Sequence, residues 1–208
     1  MFFEVHLRRR IGDRTIAADF ASDAVVTALV GPSGAGKTSI LNMIAGIARP
    51  DAGRIAIGGR VLFDDAAGID VAPEARGCGY VFQDGRLFPH MDVRANLLYG
   101  QRRAPKEAGW IGYDEVVETL GIADLADRRP RNLSGGEARR VAIGRALLAG
   151  PAFMLMDEPL TSLDPERRED MLRTIERIRD RFALPMLYVS HQQDEVRRIA
   201  SRVIEIAP

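Results

Sequence analysis

The chain has 208 residues, 46% of them hydrophobic and 28% charged, and its 29 Lys+Arg offset 29 Asp+Glu to a formal net charge of zero. The length suits one domain with a substantial core, at about 150 residues per domain, and the balanced charge excludes the basic footprint of a nucleic-acid binder. The single cysteine, Cys78, excludes an internal disulfide or a cysteine metal cluster, and no apolar run nears the ~20 residues that cross a bilayer.

Met1-Phe2-Phe3-Glu4-Val5-His6 lacks the basic-then-apolar order of a signal peptide, so an intracellular protein is expected. Residues 2–9 and 14–20 read as two short strands joined at Gly12-Asp13, a hairpin signal, with Arg8, Arg9 and Arg10 as a solvated charge run. Residues 24–30 form an apolar, β-branched run, the pattern of a buried parallel strand. Directly after it stands Gly31-Pro32-Ser33-Gly34-Ala35-Gly36-Lys37-Thr38, which fits the phosphate-binding pattern G-x-x-x-x-G-K-[ST]. Ile40, Leu41, Ile44, Ala45 and Ile47 then recur at helical spacing. Strand, glycine loop and helix is the context the motif requires. Its glycines let backbone approach phosphate, the helix N-terminus offers free N–H groups, Lys37 reaches the β/γ-phosphates and Thr38 ligates Mg²⁺.

A turn cluster at residues 49–53 leads to a second expected hairpin, 54–57 and 61–63, around Gly58-Gly59. Cys78, between two glycines, is expected as a small buried core residue. Residues 79–83 read as a buried strand ending in Gln83, followed by an unusually apolar loop from Asp84 to Met91. Two short helices are expected at 93–99 and 113–120, around a polar segment 101–112 in which Trp110 reads as a partly exposed packing residue. Ser134-x-x-Glu137 is a capping box that opens a helix to about Ala149. The strand 153–157 delivers two adjacent carboxylates, Asp157 and Glu158, and a buried strand end with paired acids calls for a neutralising cation such as Mg²⁺. Thr161 to Pro165 is a loop, with Pro165 opening a helix to about Phe182. A further buried strand, 185–190, ends against His191, at the carboxyl end where open α/β sheets place ligands, and another strand is expected from Arg202 to Ile206.

Taken together these residues resemble the nucleotide-binding subunit of an ATP-binding cassette (ABC) transporter, over essentially the whole chain. Six motifs stand in that family's order. The Walker A loop is 31–38 with Ser39 beside it, the Q-loop glutamine is Gln83 and the signature is 133–137. Walker B is 153–157 followed by Glu158, the D-loop is Ser162-Leu163-Asp164 and the switch histidine is His191. Within the family, Gly79 to Asp84, Leu87 to His90, Val93, Asn96-Leu97 and Tyr99-Gly100 are similar to molybdate importer ATPases. Sulfate, iron or other-solute cassettes share part of that likeness, and a soluble non-transport ABC ATPase remains an alternative.

The resemblance implies an α/β P-loop fold with a mainly parallel sheet, an antiparallel N-terminal portion, and a helical subdomain at about 84–149 within a core of 1–83 and 150–208. It implies ATP hydrolysis coupled to solute import, with ATP and Mg²⁺ as cofactors. Two copies would close head to tail, so that Ser134, Gly135, Gly136 and Glu137 meet the partner's ATP and Asp164 lies at the dimer contact. Thr38, Gln83 and Asp157 would serve the metal, and Glu158, His191 and Gln83 would be catalytic. The implied partners are a second copy, membrane permease subunits and, indirectly, a solute-binding protein, with no nucleic acid. The implied place is the inner face of the cell membrane. Leu87, Phe88, Pro89 and Met91 would either receive a permease helix or pack between lobes. Two departures stand out: no aromatic residue between Arg8 and Phe20 is placed to stack on a base, and the oxyanion-binding regulatory domain of longer molybdate-type subunits is expected to be missing after Pro208.

Overall fold

A computed structural model describes residues 1–102 and 111–207; Trp110 and Pro208 lie outside the described residues. Among the described residues ten strands form two sheets, accompanied by six α-helices. The N-terminal hairpin is β1 (Phe3–Ile11) and β2 (Arg14–Ser22), paired from Phe3↔Ser22 to Ile11↔Arg14. The second hairpin, β4 (Ala52–Ile57) and β5 (Arg60–Asp64), adds to the free side of β1, and the two-residue β6 (Ile69–Asp70) closes an antiparallel sheet of order β2-β1-β4-β5-β6. The second sheet is wholly parallel. Its strands are β3 (Val26–Val30), β7 (Cys78–Val81), β8 (Phe153–Asp157), β9 (Met186–Val189) and β10 (Arg202–Glu205), in the order β10-β3-β9-β8-β7. The expected parallel sheet and antiparallel portion are both present, and the antiparallel part forms a sheet of its own.

Both faces of the central strands β3, β9 and β8 are covered, which explains their continuous apolar character. Met154, Met156, Met186 and Tyr188 face one cluster, shared with α2 (Val93–Gln101), α3 (Tyr113–Leu120), α4 (Gly135–Leu148) and α5 (Pro165–Phe182). Their neighbours Phe153, Leu155, Leu187 and Val189 face a second cluster with α1 (Lys37–Ala45) and the inner side of the antiparallel sheet, including Phe3, Val5 and Phe63. The period-2 alternation of strand side chains sorts these residues between the two cores. α1 therefore lies sandwiched between sheets, with Ile40, Leu41, Met43 and Ile44 fully buried.

Local chemistry sets several boundaries. Asp164 caps α5, its carboxylate accepting from Arg167 N–H at 3.0 Å, and Pro165 takes the first helical position. Ser134 and Glu137 form the capping box at the start of α4. α2 and α4 approach so closely at Gly100 that a Cβ there would stand 2.4 Å from the Arg145 carbonyl oxygen. Cys78 is only half-buried at the rim of the second core, although burial of its sulfur pushes the thiol up to about 12. The short helix α6 (Gln193–Ile199) between β9 and β10 was not among the elements expected from the sequence. No described helix is long and apolar enough to cross a membrane.

Candidate functional site

Parallel pairing brings three strand ends together. β3 lies beside β9 and β9 beside β8, with Leu29↔Val189 and Asp157↔Val189 in register. The loop 31–36, the pair Asp157-Glu158 and His191 therefore emerge at one edge of the sheet, the carboxyl end where α/β sheets bind ligands.

The loop after β3 winds through left-handed backbone. Gly36 precedes α1 at φ 91°, and a Cβ there would land 2.8 Å from Ile16 of β2, so this position takes glycine on both counts. Lys37 is buried under the loop and its Nζ donates to the carbonyls of Gly31 and Pro32, each at 2.9 Å. Ser33 and Gly34 are exposed, Ala35 is buried, and Thr38 and Ser39 occupy the first turn of α1. The free N–H groups and dipole of this helix start favour an anion.

Asp157 is 3% exposed and accepts a hydrogen bond from Thr38 Oγ1 at 3.1 Å. Burial raises its carboxyl above the ordinary aspartate range, the Thr38 hydroxyl opposes this, and the Glu158 charge adds to it. A carboxylate so placed gains from a cation. Gln83 and Thr38 line the same cleft of about 400 Å³ as Asp157. Among the described residues no three His, Cys, Asp or Glu side chains gather to hold a metal unaided. Thr38, Gln83 and Asp157 therefore suit a hard cation that takes its other ligands from phosphate and water, as Mg²⁺ does.

Glu158 sits just past the end of β8 at φ 45°, a left-handed conformation costly for a non-glycine residue and frequent at functional sites. Its N–H donates to Val189 O at 3.0 Å and its own carbonyl accepts from Arg139 of α4 at 3.3 Å. Thr161 Oγ1 donates to Glu158 Oε2 at 2.9 Å, and His191 Nδ1 stands 3.5 Å from the same oxygen. Lys37, Ser33, Glu158 and His191 share a cleft of about 1020 Å³. The Walker-type residues expected from the sequence are thus assembled at one place.

Residues 134–137 border neither of these clefts. They form the capped start of α4, where Ser134 N–H donates to Glu137 Oε2 at 2.6 Å and holds the Glu137 carboxyl below its usual range. Asp164 is likewise committed to capping α5. Within one chain the signature and the phosphate loop remain separate features.

Three contributions escaped the sequence reading. Arg14 of β2 overhangs the loop, its Nη1 3.6 Å from where a Gly34 Cβ would stand, and Ile16 of the same strand packs against Gly36. Asn96, fully buried, accepts from Phe88 N–H at 2.9 Å and donates to the carbonyls of Phe88, Met91 and Asp92, fixing the apolar loop. Arg76, 1% exposed, donates to the Met43 and Ile44 carbonyls at 2.9 Å and closes the C-terminus of α1. Asn96 stood out as a polar residue among Ala95, Leu97 and Leu98, whereas Arg76 carried no local signal of its role.

The sequence profile described as ABC transporter matches residues 19–161. The molybdenum import ATP-binding protein ModC of Rhodospirillum rubrum is 54% identical over 204 residues, covering 98% of this chain and 55% of that protein. The ModC of Mesorhizobium japonicum is 52% identical over 207 residues, covering 100% of this chain and 56% of that protein. The chain thus spans about half the length of these curated relatives. A dimeric bacterial ABC transporter cassette superposes with a TM-score of 0.75 at 24% identity, over 99% of this chain and 93% of that one. CbiO1 of Clostridium perfringens, part of the ABC transporter complex cbiONQ, gives 0.79 at 24% identity, over 99% and 84%. These two likenesses speak to the fold.

Proposed function

This chain belongs to the ABC transporter family, and from that premise we propose that it is the ATP-hydrolysing subunit of a membrane importer whose solute is molybdate. The observation that carries the reading is the meeting of Lys37, the Thr38–Asp157 pair and the Glu158–His191 pair at one sheet edge. The solute rests on the relatives named for molybdenum import, more than half identical to this chain.

Phosphoryl transfer asks for positioning and charge stabilisation rather than covalent catalysis. Lys37 and the loop amides hold the phosphates. Mg²⁺, held by Thr38, Gln83 and Asp157, would supply charge neutralisation on the phosphate oxygens. The contacts of Thr161 and His191 both fall on Glu158 Oε2, which leaves Oε1 to accept a proton from the attacking water. His191 contacts the γ-phosphate. Ser134, Gly135, Gly136 and Glu137 of a second copy complete the site, with Asp164 at the contact between copies, so each chain alone is an incomplete enzyme.

The core comprises 1–83 and 150–208, with a helical subdomain at about 84–149. The permease docks between them. Phe88 packs on Tyr99 at 4.4 Å and under the Arg145 guanidinium at 4.8 Å, beside a groove of about 680 Å³. The protein works on the inner face of the cell membrane with permease subunits and, through them, a solute-binding protein. Cellular molybdenum tests the solute: a strain lacking this gene, grown at limiting molybdate, should lose it and regain it with the wild type but not with Glu158→Gln. Unchanged molybdenum in a strain without a second importer contradicts the molybdate assignment.

A further inference from the structure

The turn that carries His191 is held by a buried carboxylate for which the proposed chemistry has no use. Glu195, in the first turn of α6, is 3% exposed. Its Oε2 accepts from Ser190 Oγ at 2.6 Å and from Tyr188 OH at 3.1 Å, and its Oε1 pairs with the Arg168 guanidinium. Ser190 Oγ in turn accepts from Gln192 N–H at 3.0 Å. The hydroxyl just before His191 therefore bonds to the backbone just after it and to the helix beyond, bracketing the turn.

Arg168 lies in the first turn of α5, where its N–H donates to the carbonyl of the capping residue Asp164 at 2.9 Å. The network thus runs from the Asp164 turn, through Arg168 and Glu195, to Ser190 and the His191 turn, whose imidazole stands 3.5 Å from Glu158. Tyr188 supports it as a donor, since burial holds its phenol protonated well above the ordinary range. A carboxylate taken out of water at this depth needs a fixed set of donors. With four hydrogen bonds committed, the turn has one arrangement rather than several.

We propose that Glu195 is a positioning residue for His191, and that its pair with Arg168 ties the His191 turn to the helix start capped by Asp164. The inference rests on the ATPase reading above. Glu195 touches no nucleotide; it acts by fixing where the His191 imidazole stands. Displacement of a catalytic group by about 1 Å costs up to ~10²-fold in rate, whereas the phosphate loop on β3 is anchored independently.

The test is a double-mutant cycle read by ATP hydrolysis. Glu195→Gln keeps the shape and loses the charge. Ser190→Ala removes only the hydroxyl between Glu195 and the turn, with less risk to folding. Each should lower kcat roughly ten- to hundredfold while KM for ATP stays within about twofold. In a His191→Ala background the same substitutions should change kcat by less than about twofold, because the group they position is gone. An equal fall in both backgrounds overturns the proposal, as does an unchanged kcat per folded molecule in both single variants. Wild-type hydrolysis lost in Glu158→Gln, alongside additive effects of Glu195→Gln and His191→Ala, leaves the ATPase reading standing while this inference fails. A wild type without ATPase activity sinks both.

Discussion

At the residue scale the site stores a cost that a ligand relieves. Asp157 is buried with a carboxyl raised above its ordinary value of about 3.9. A carboxyl raised on folding binds more protons in the native state than in the unfolded one. Stability therefore falls as pH rises from the unfolded value through the raised one, and the charged form is a burden at neutral pH. Asp157→Asn should raise the metal-free melting temperature at pH 7 by a few degrees, at ~2–4 °C per kcal/mol for a chain of this size. The same change should abolish Mg²⁺-dependent hydrolysis. The gain should shrink as pH falls through the raised carboxyl value and vanish below about pH 3, where Asp157 is protonated in both states. A lower melting temperature at pH 7 in thermal scans contradicts this account of Asp157.

At the scale of elements, α1 presents the phosphate loop and depends on a residue 31 positions beyond its end. Arg76 caps the Met43 and Ile44 carbonyls, bonds the Val71 carbonyl at 2.7 Å and pairs with Asp70 at 3.0 Å. Arg76→Met should cost roughly 2–4 kcal/mol by leaving buried carbonyls unpaired, seen as a lower denaturant midpoint at unchanged slope. Full retention of stability would show that water replaces the guanidinium. Most elements were legible because their signals are local: Pro165 marked the start of α5, Ser134 and Glu137 that of α4, and apolar runs gave β3, β8 and β9. α6 was not, since its seven residues hold five polar or charged ones and no capping side chain. Nothing in the local sequence marks Glu195 or Arg76 as buried, and only their tertiary partners reveal them as such. The partition into two sheets was equally hidden, because β1 pairs with β4 across two intervening strands and a helix. The loop after Gln83 shows the same dependence on distant contacts. Phe88→Asp should uncouple transport from hydrolysis if that loop docks a permease helix. Loss of soluble folding instead would assign it to packing between the lobes.

At the scale of the whole molecule, a site assembled from β3, β8 and β9 lacks the capped helix start at Ser134, which lies outside both clefts that border the phosphate loop. That separation is what a shared site between two copies requires. The phosphate loop was readable from its spacing, whereas the roles of Gln83, Ser134 to Glu137, Asp164 and His191 came from the resemblance to the family, and a division of them between two copies would be a property of the assembly. The most direct test is the mass of the Glu158→Gln protein in solution, by light scattering on a sizing column, with and without saturating ATP and Mg²⁺. The account predicts a monomer without nucleotide and a dimer with it, persisting because the bound ATP turns over about 10²–10³-fold more slowly than in the wild type. A protein that stays monomeric at saturating ATP, or that hydrolyses it at the wild-type rate, contradicts the central claim.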